Sequence, residues 1–138
     1  MQRTFAAIIA LSFAAPALAE GDAAAGEKTF NKCKSCHMIV SDAGDEIVKG
    51  GRTGPNLYGI IGKTAGTADF KYGKDLVAAG EAGLVWDEAT LVEYVADPRA
   101  FLRTYLDDSK AKSKMSFKLK KGGEDVAAYL ASVGGGES

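Results

Sequence analysis

Cysteine and histidine are nearly missing from this chain of 138 residues, which has two of the first and one of the second. Two cysteines are too few for a disulfide scaffold. Charge of one sign is not in excess either. The formal net charge is −1, which argues against a protein that works by neutralising many nucleic-acid phosphates. The apolar run from Phe5 to Ala15 spans about 11 residues, short of the roughly 20 that a membrane span needs. No convincing strand and no internal repeat is found. What is present is ordinary: hydrophobic residues at 46% and charged ones at 25% fit a soluble globular chain, and the length suits one domain.

The first nineteen residues, MQRTFAAIIALSFAAPALA, carry one basic residue, Arg3, then the apolar run, then Ala17-Leu18-Ala19. This is the layout of a cleaved export signal ending in an A-x-A site; a retained anchor is the plainer alternative. The expectation is a signal peptide over 1–19 and a single domain over 20–138, located in the periplasm. There, two free thiols three positions apart would tend to oxidise unless something consumed them.

Helical spacing sets the rest. Ala23, Gly26, Phe30 and Cys33 share one face of a helix over 22–34, with Asp22 as its N-cap. Residues 40–56 read as loop, and GPNLYGIIG (54–62) as repeated turns. A short helix over 73–79 is expected to stop at Gly80. Asp87 is expected to cap a helix carrying Leu91, Tyr94 and Val95. That helix ends at Asp97, because Pro98 disfavours helix in the residue before it, and Pro98 opens another over 99–106. DDSKAKSK (107–114) reads as polar and exposed. Val126, Tyr129, Leu130 and Val133 mark a last helix over 124–133. The expected fold class is all-α, with four to five short helices and long loops. So few apolar side chains fill a core poorly, and a large apolar cofactor at the centre would remedy that.

Both cysteines and the histidine fall within NKCKSCHMIV (31–40). C-x-x-C-H is the attachment signature of a c-type haem. Two thiols so spaced on a turn can add to the two vinyl groups of one porphyrin, and His37 then offers its imidazole to the iron. A redox C-x-x-C expects a βαβ context, which is not found. A zinc site needs a fourth ligand from another Cys or His, which the chain does not have. The candidates for the second axial position are Met, Lys, Tyr or a vacancy. Met38 adjoins His37 and cannot easily reach the far face. Met115, in KSKMSFKLKK, is the remaining thioether. A lone Met is more often core filler, but this one lies in a lysine-rich segment that would make poor core. His/Met ligation fills both axial sites and suits one-electron transfer.

From GEKTFNKCKSCH, RTGPNLYGIIGKTAG, DFKYGKD, WDEATLVEYVADP, KSKMSFKLKK and EDVAAYL, the chain resembles the class I c-type cytochromes, and among them the long subgroup of bacterial cytochromes c2, relatives of mitochondrial cytochrome c. The resemblance implies a cytochrome c fold around one covalent haem c. Cys33 and Cys36 would be the thioether cysteines, and His37 and Met115 the axial ligands. Pro55 matches the proline whose carbonyl accepts the other imidazole N–H. Tyr72 and Trp86 match residues that hydrogen-bond a haem propionate, and Tyr94 the tyrosine beside the Met sulfur. Gly26 and Phe30 match the helix face that crosses the last helix at Tyr129. Lys63 stands where many relatives carry Arg, and residues 40–50 and 102–112 run longer than in the mitochondrial proteins.

Lys110, Lys112, Lys114, Lys118, Lys120 and Lys121 surround Met115 in sequence. A charge run is usually a solvated face, but the family exposes one haem edge inside a ring of lysines. The resemblance thus implies a monomeric periplasmic carrier rather than an enzyme, with no nucleic-acid partner and no stable membrane insertion. It would take electrons from a cytochrome bc1 complex. The acceptor would be a reaction centre, oxidase or reductase with an acidic docking surface.

Overall fold

In the computed structural model the described residues are 21–134, so the expected signal peptide lies outside them. Five helices and one small hairpin follow in chain order: α1 (Ala23–Thr29), β1 (Ile39–Val40), β2 (Glu46–Val48), α2 (Lys74–Glu81), α3 (Glu88–Ala96), α4 (Pro98–Tyr105) and α5 (Gly123–Val133). No helix among the described residues is long and apolar enough to cross a membrane.

Asp22 caps α1 as expected, its carboxylate accepting from the Ala24 and Ala25 amides. The helix then tightens into a 3-10 turn, Phe30–Lys32, and α1 therefore ends short of Cys33. α1 crosses α5 with its backbone close in. A Cβ on Gly26 would run into the Asp125 carbonyl, and the Asp22 amide donates to Asp125 Oδ1 at 2.8 Å. The Phe30 and Tyr129 rings meet at 5.8 Å. Val126, Tyr129 and Leu130 are buried on the α5 stripe read from the sequence, and Val133 packs at its margin.

Asp87 opens α3 with a reciprocal capping box. Its carboxylate accepts from the Thr90 amide at 2.7 Å, and its own amide donates to Thr90 Oγ1 at 2.9 Å. Asp97 ends α3 and caps α4, accepting from the Ala100 amide at 3.0 Å. Pro98 is the first residue of α4, where its missing N–H would have no partner anyway. Trp86, Tyr94 and Phe101 then form one aromatic cluster, with Tyr94 edge-on to Phe101 at 5.7 Å.

Three local readings are corrected. The stretch 40–56 is not all loop: Ile39 and Val40 pair antiparallel with Val48 and Glu46 across a bulge. Two strands this short leave no period-2 alternation to detect. Gly80 does not stop α2 but sits within it, buried, because a Cβ there would strike the Ala65 carbonyl. The left-handed residue that ends the turn is Gly83, at φ +106°. Within 107–114, Ala111 is 1% exposed rather than solvated. Trp86 also gains a bracing that periodicity did not reveal: its carbonyl accepts from the Gly62 amide at 2.6 Å and its amide donates to Lys63 at 2.9 Å.

Candidate haem site

The C-x-x-C-H stretch forms a tight turn off the 3-10 end of α1. The Cys33 and Lys34 amides donate to the Phe30 carbonyl, and the Cys36 and His37 amides to that of Cys33. The turn is closed from outside by the glycine-rich segment that follows β2. The Gly51 amide donates to Lys34 at 2.9 Å and the Gly54 amide to Cys36 at 2.8 Å. A Cβ on Gly54 would run into the His37 ring, so glycine is what lets this backbone lie flat against the imidazole.

His37 Nδ1 lies 2.9 Å from the Pro55 carbonyl. A carbonyl only accepts, so Nδ1 carries the proton and Nε2 keeps its lone pair. Burial lowers the His37 pKa, with the Pro55 bond opposing it, so the neutral, metal-binding form prevails at neutral pH. The Cys33 thiol is pushed up to about 11, chiefly by burial, then by Cys36, with Lys32 pulling the other way. Reactive redox cysteines have lowered values. Cys33 has the opposite setting, and the two cysteines are not paired in a disulfide.

Beside this turn lies a cavity of about 330 Å³. Every residue the sequence assigned to the haem and its surroundings lines it: Cys33, Cys36, His37, Pro55, Tyr72, Trp86, Tyr94 and Met115. Leu57, Ile60, Leu76, Leu91, Val126 and Leu130 make much of the remaining wall apolar. Met38 is not part of the lining. Burial raises the Tyr94 pKa against the hydrogen bond with Ser113, and raises that of Tyr72 against the bond to the Ala68 backbone. Of the six lysines only Lys112 and Lys114 border the cavity, joined there by Lys32. Lys118 instead pairs with Asp97 at 3.1 Å. Lys110, Lys120 and Lys121 are exposed elsewhere on the surface. Lys63 Nζ reaches the Tyr58 carbonyl at 3.4 Å.

Sequence reasoning missed Lys32, the Gly51 and Gly54 backing, and Asn56. The Asn56 side chain accepts from the Val40 and Tyr58 amides and donates to the Val40 carbonyl, tying β1 to the turn after Pro55. The run GGRTGPN (50–56) was the available signal, since closely spaced glycines mark close backbone approach.

Two thiols, an imidazole with a free Nε2 and a thioether around an apolar cavity are a donor set that fits a covalently held haem. The site and its helical frame define a haem-attachment protein. No family model matches the chain. Its sequence is 75% identical to cytochrome c-551 of Roseobacter denitrificans, over the whole of both chains. It is 62% identical to cytochrome c2 of Rhodobacter capsulatus, over 94% of this chain and 95% of that one. The fold matches the crystal structure of Rhodobacter capsulatus cytochrome c2 with a TM-score of 0.80 and 63% identity, over 82% of this chain and 98% of the other. The chain therefore belongs to the bacterial class I cytochrome c2 family. It carries one covalent haem c and transfers electrons, and is not an enzyme.

Proposed function

We propose that the chain is a periplasmic one-electron shuttle whose haem is bonded to Cys33 and Cys36 and whose iron is ligated by His37 and Met115. The signal peptide over 1–19 would be cleaved on export, leaving 20–138 as a monomeric domain. Haem c supplies the one-electron Fe(III)/Fe(II) couple. The chain's own residues orient it and keep water out. The Pro55 carbonyl holds the His37 ring in the tautomer that presents Nε2, a contact that also raises the basicity of the ligand. Pro55, Tyr72, Trp86 and Tyr94 line the same cavity as these ligands. Ligation by His37 and Met115 together would leave no vacancy for oxygen or peroxide and would restrict the site to electron transfer.

The observation that carries this reading is the convergence of His37, its Nδ1 engaged at 2.9 Å, and Met115 on the same cavity as the two thiols. The donor is a cytochrome bc1 complex. The acceptor is a reaction centre, oxidase or reductase whose acidic surface meets the lysines around Met115. A weak absorption band near the red end in the ferric protein, lost on reduction, tests the ligation. Met115→Ala should abolish that band and let the reduced protein bind carbon monoxide. Its survival in the variant would show that another group fills the position.

A further inference from the structure

The irregular segment that delivers Met115 is tied down residue by residue. Arg103 Nε, on α4, donates to the Ala111 carbonyl at 3.1 Å. On the far flank the Leu119 amide donates to Val95 at 2.7 Å. Between them, the Lys112 amide donates to Asp75 Oδ2 at 2.8 Å, across 37 residues of sequence. Asp75 stands in the first turn of α2, so this bond joins that helix to the last residue of the longer 102–112 stretch. Lys114 Nζ reaches the Lys71 carbonyl at 2.9 Å, but through a long exposed side chain whose ordering costs rotamer entropy. The Asp75 contact holds a peptide plane directly, three residues before the ligand, and a carboxylate on a backbone N–H is a charge-assisted bond.

We propose that Asp75 is a positioning residue for the sixth ligand: its carboxylate, by holding the Lys112 amide, limits the excursions of the Met115 sulfur away from the iron. The inference rests on Met115 being the axial ligand. Without the restraint, the population with Met115 detached rises by the factor that the lost bond represents, about tenfold for a hydrogen bond to a charged group. An added ligand that competes for the vacated position then binds more tightly by the same factor.

The test is an imidazole titration of the haem-loaded ferric protein, followed by loss of the red-end band. Amide hydrogen exchange at Lys112 and the thermal midpoint are measured beside it. Asp75→Ala should tighten imidazole binding about tenfold and speed Lys112 exchange by at least as much. Asp75→Asn keeps an acceptor oxygen while removing the same charge from the start of α2, and should restore both towards the original values. A purely structural role would lower the thermal midpoint without moving the imidazole affinity, and that result overturns the inference. So does an Asn variant that behaves like Ala, because charge at the helix terminus would then be acting rather than the hydrogen bond. Absence of the band from the unsubstituted protein is a separate failure. It removes Met115 ligation, and the positioning role with it.

Discussion

Pro55 and His37 are 18 residues apart in sequence yet share a 2.9 Å contact, and Gly54 is what makes the approach feasible. Any side chain at 54 meets the imidazole first. Gly54→Ala should therefore push the ring off the Pro55 carbonyl and destabilise the haem-loaded protein by about 1–3 kcal/mol, the usual penalty of an overpacked site. Denaturant melts measure the stability, and a changed reduction potential would report the lost imidazole contact. That Cys33, Cys36, His37 and Met115 line one cavity was expected from the sequence, because C-x-x-C-H packs three of the four groups into adjacent positions and KSKMSFKLKK holds the other thioether. The backing by Gly51, Gly54 and Asn56 was not. Hydrogen bonds between distant backbone groups leave no periodic trace, and only the family resemblance pointed to Pro55.

Side-chain caps open three of the five helices, with Asp22 on α1, Asp87 on α3 and Asp97 on α4. Asp87 accepts from the Thr90 amide and hydroxyl, and these bonds hold its carboxyl below the usual aspartate range. A lowered folded value means that the stabilisation is fully present above the ordinary aspartate pKa and lost as pH falls through the folded one. Asp87→Ala should cost about 1 kcal/mol at neutral pH. Asp87→Asn should retain most of that stability but lose its acid dependence, as thermal melts between pH 2 and 7 would show. Asp87 and the Pro98 break made α3 and α4 readable to within a residue or two, and the Val126, Tyr129, Leu130, Val133 stripe did the same for α5. β1 and β2 were hidden because five strand residues cannot display a pattern, and Gly80 misled because a buried close approach and a helix stop use the same residue type.

At the scale of the molecule, charge is unevenly spread. Lys32, Lys112 and Lys114 border the cavity in a chain whose formal charge is −1, so the acids must lie on other surfaces. A positive rim steers an acidic partner towards the haem edge and weakens with salt. The bimolecular electron-transfer rate with such a partner should fall as ionic strength rises. Lys112→Glu should slow it more than Lys121→Glu, which changes the same charge farther from the rim. Stopped-flow traces over a salt series measure both, and equal slowing by the two variants would mean net charge rather than position governs encounter. The six-lysine run was visible in the sequence. Which of the six reach the cavity was not, since Lys118 is turned aside to Asp97 and Lys32 arrives from the other end of the chain.

Asp97 closes α3 and opens α4 with no residue to spare between them. Adding or deleting one amino acid there would swing α4 by roughly 100° about its own axis, carrying Phe101 away from Trp86 and Tyr94. Length changes should therefore be poorly tolerated at this joint and well tolerated at the exposed tip 107–110. A ladder of single-residue insertions would trace that boundary as a step from folded, red-coloured protein to none.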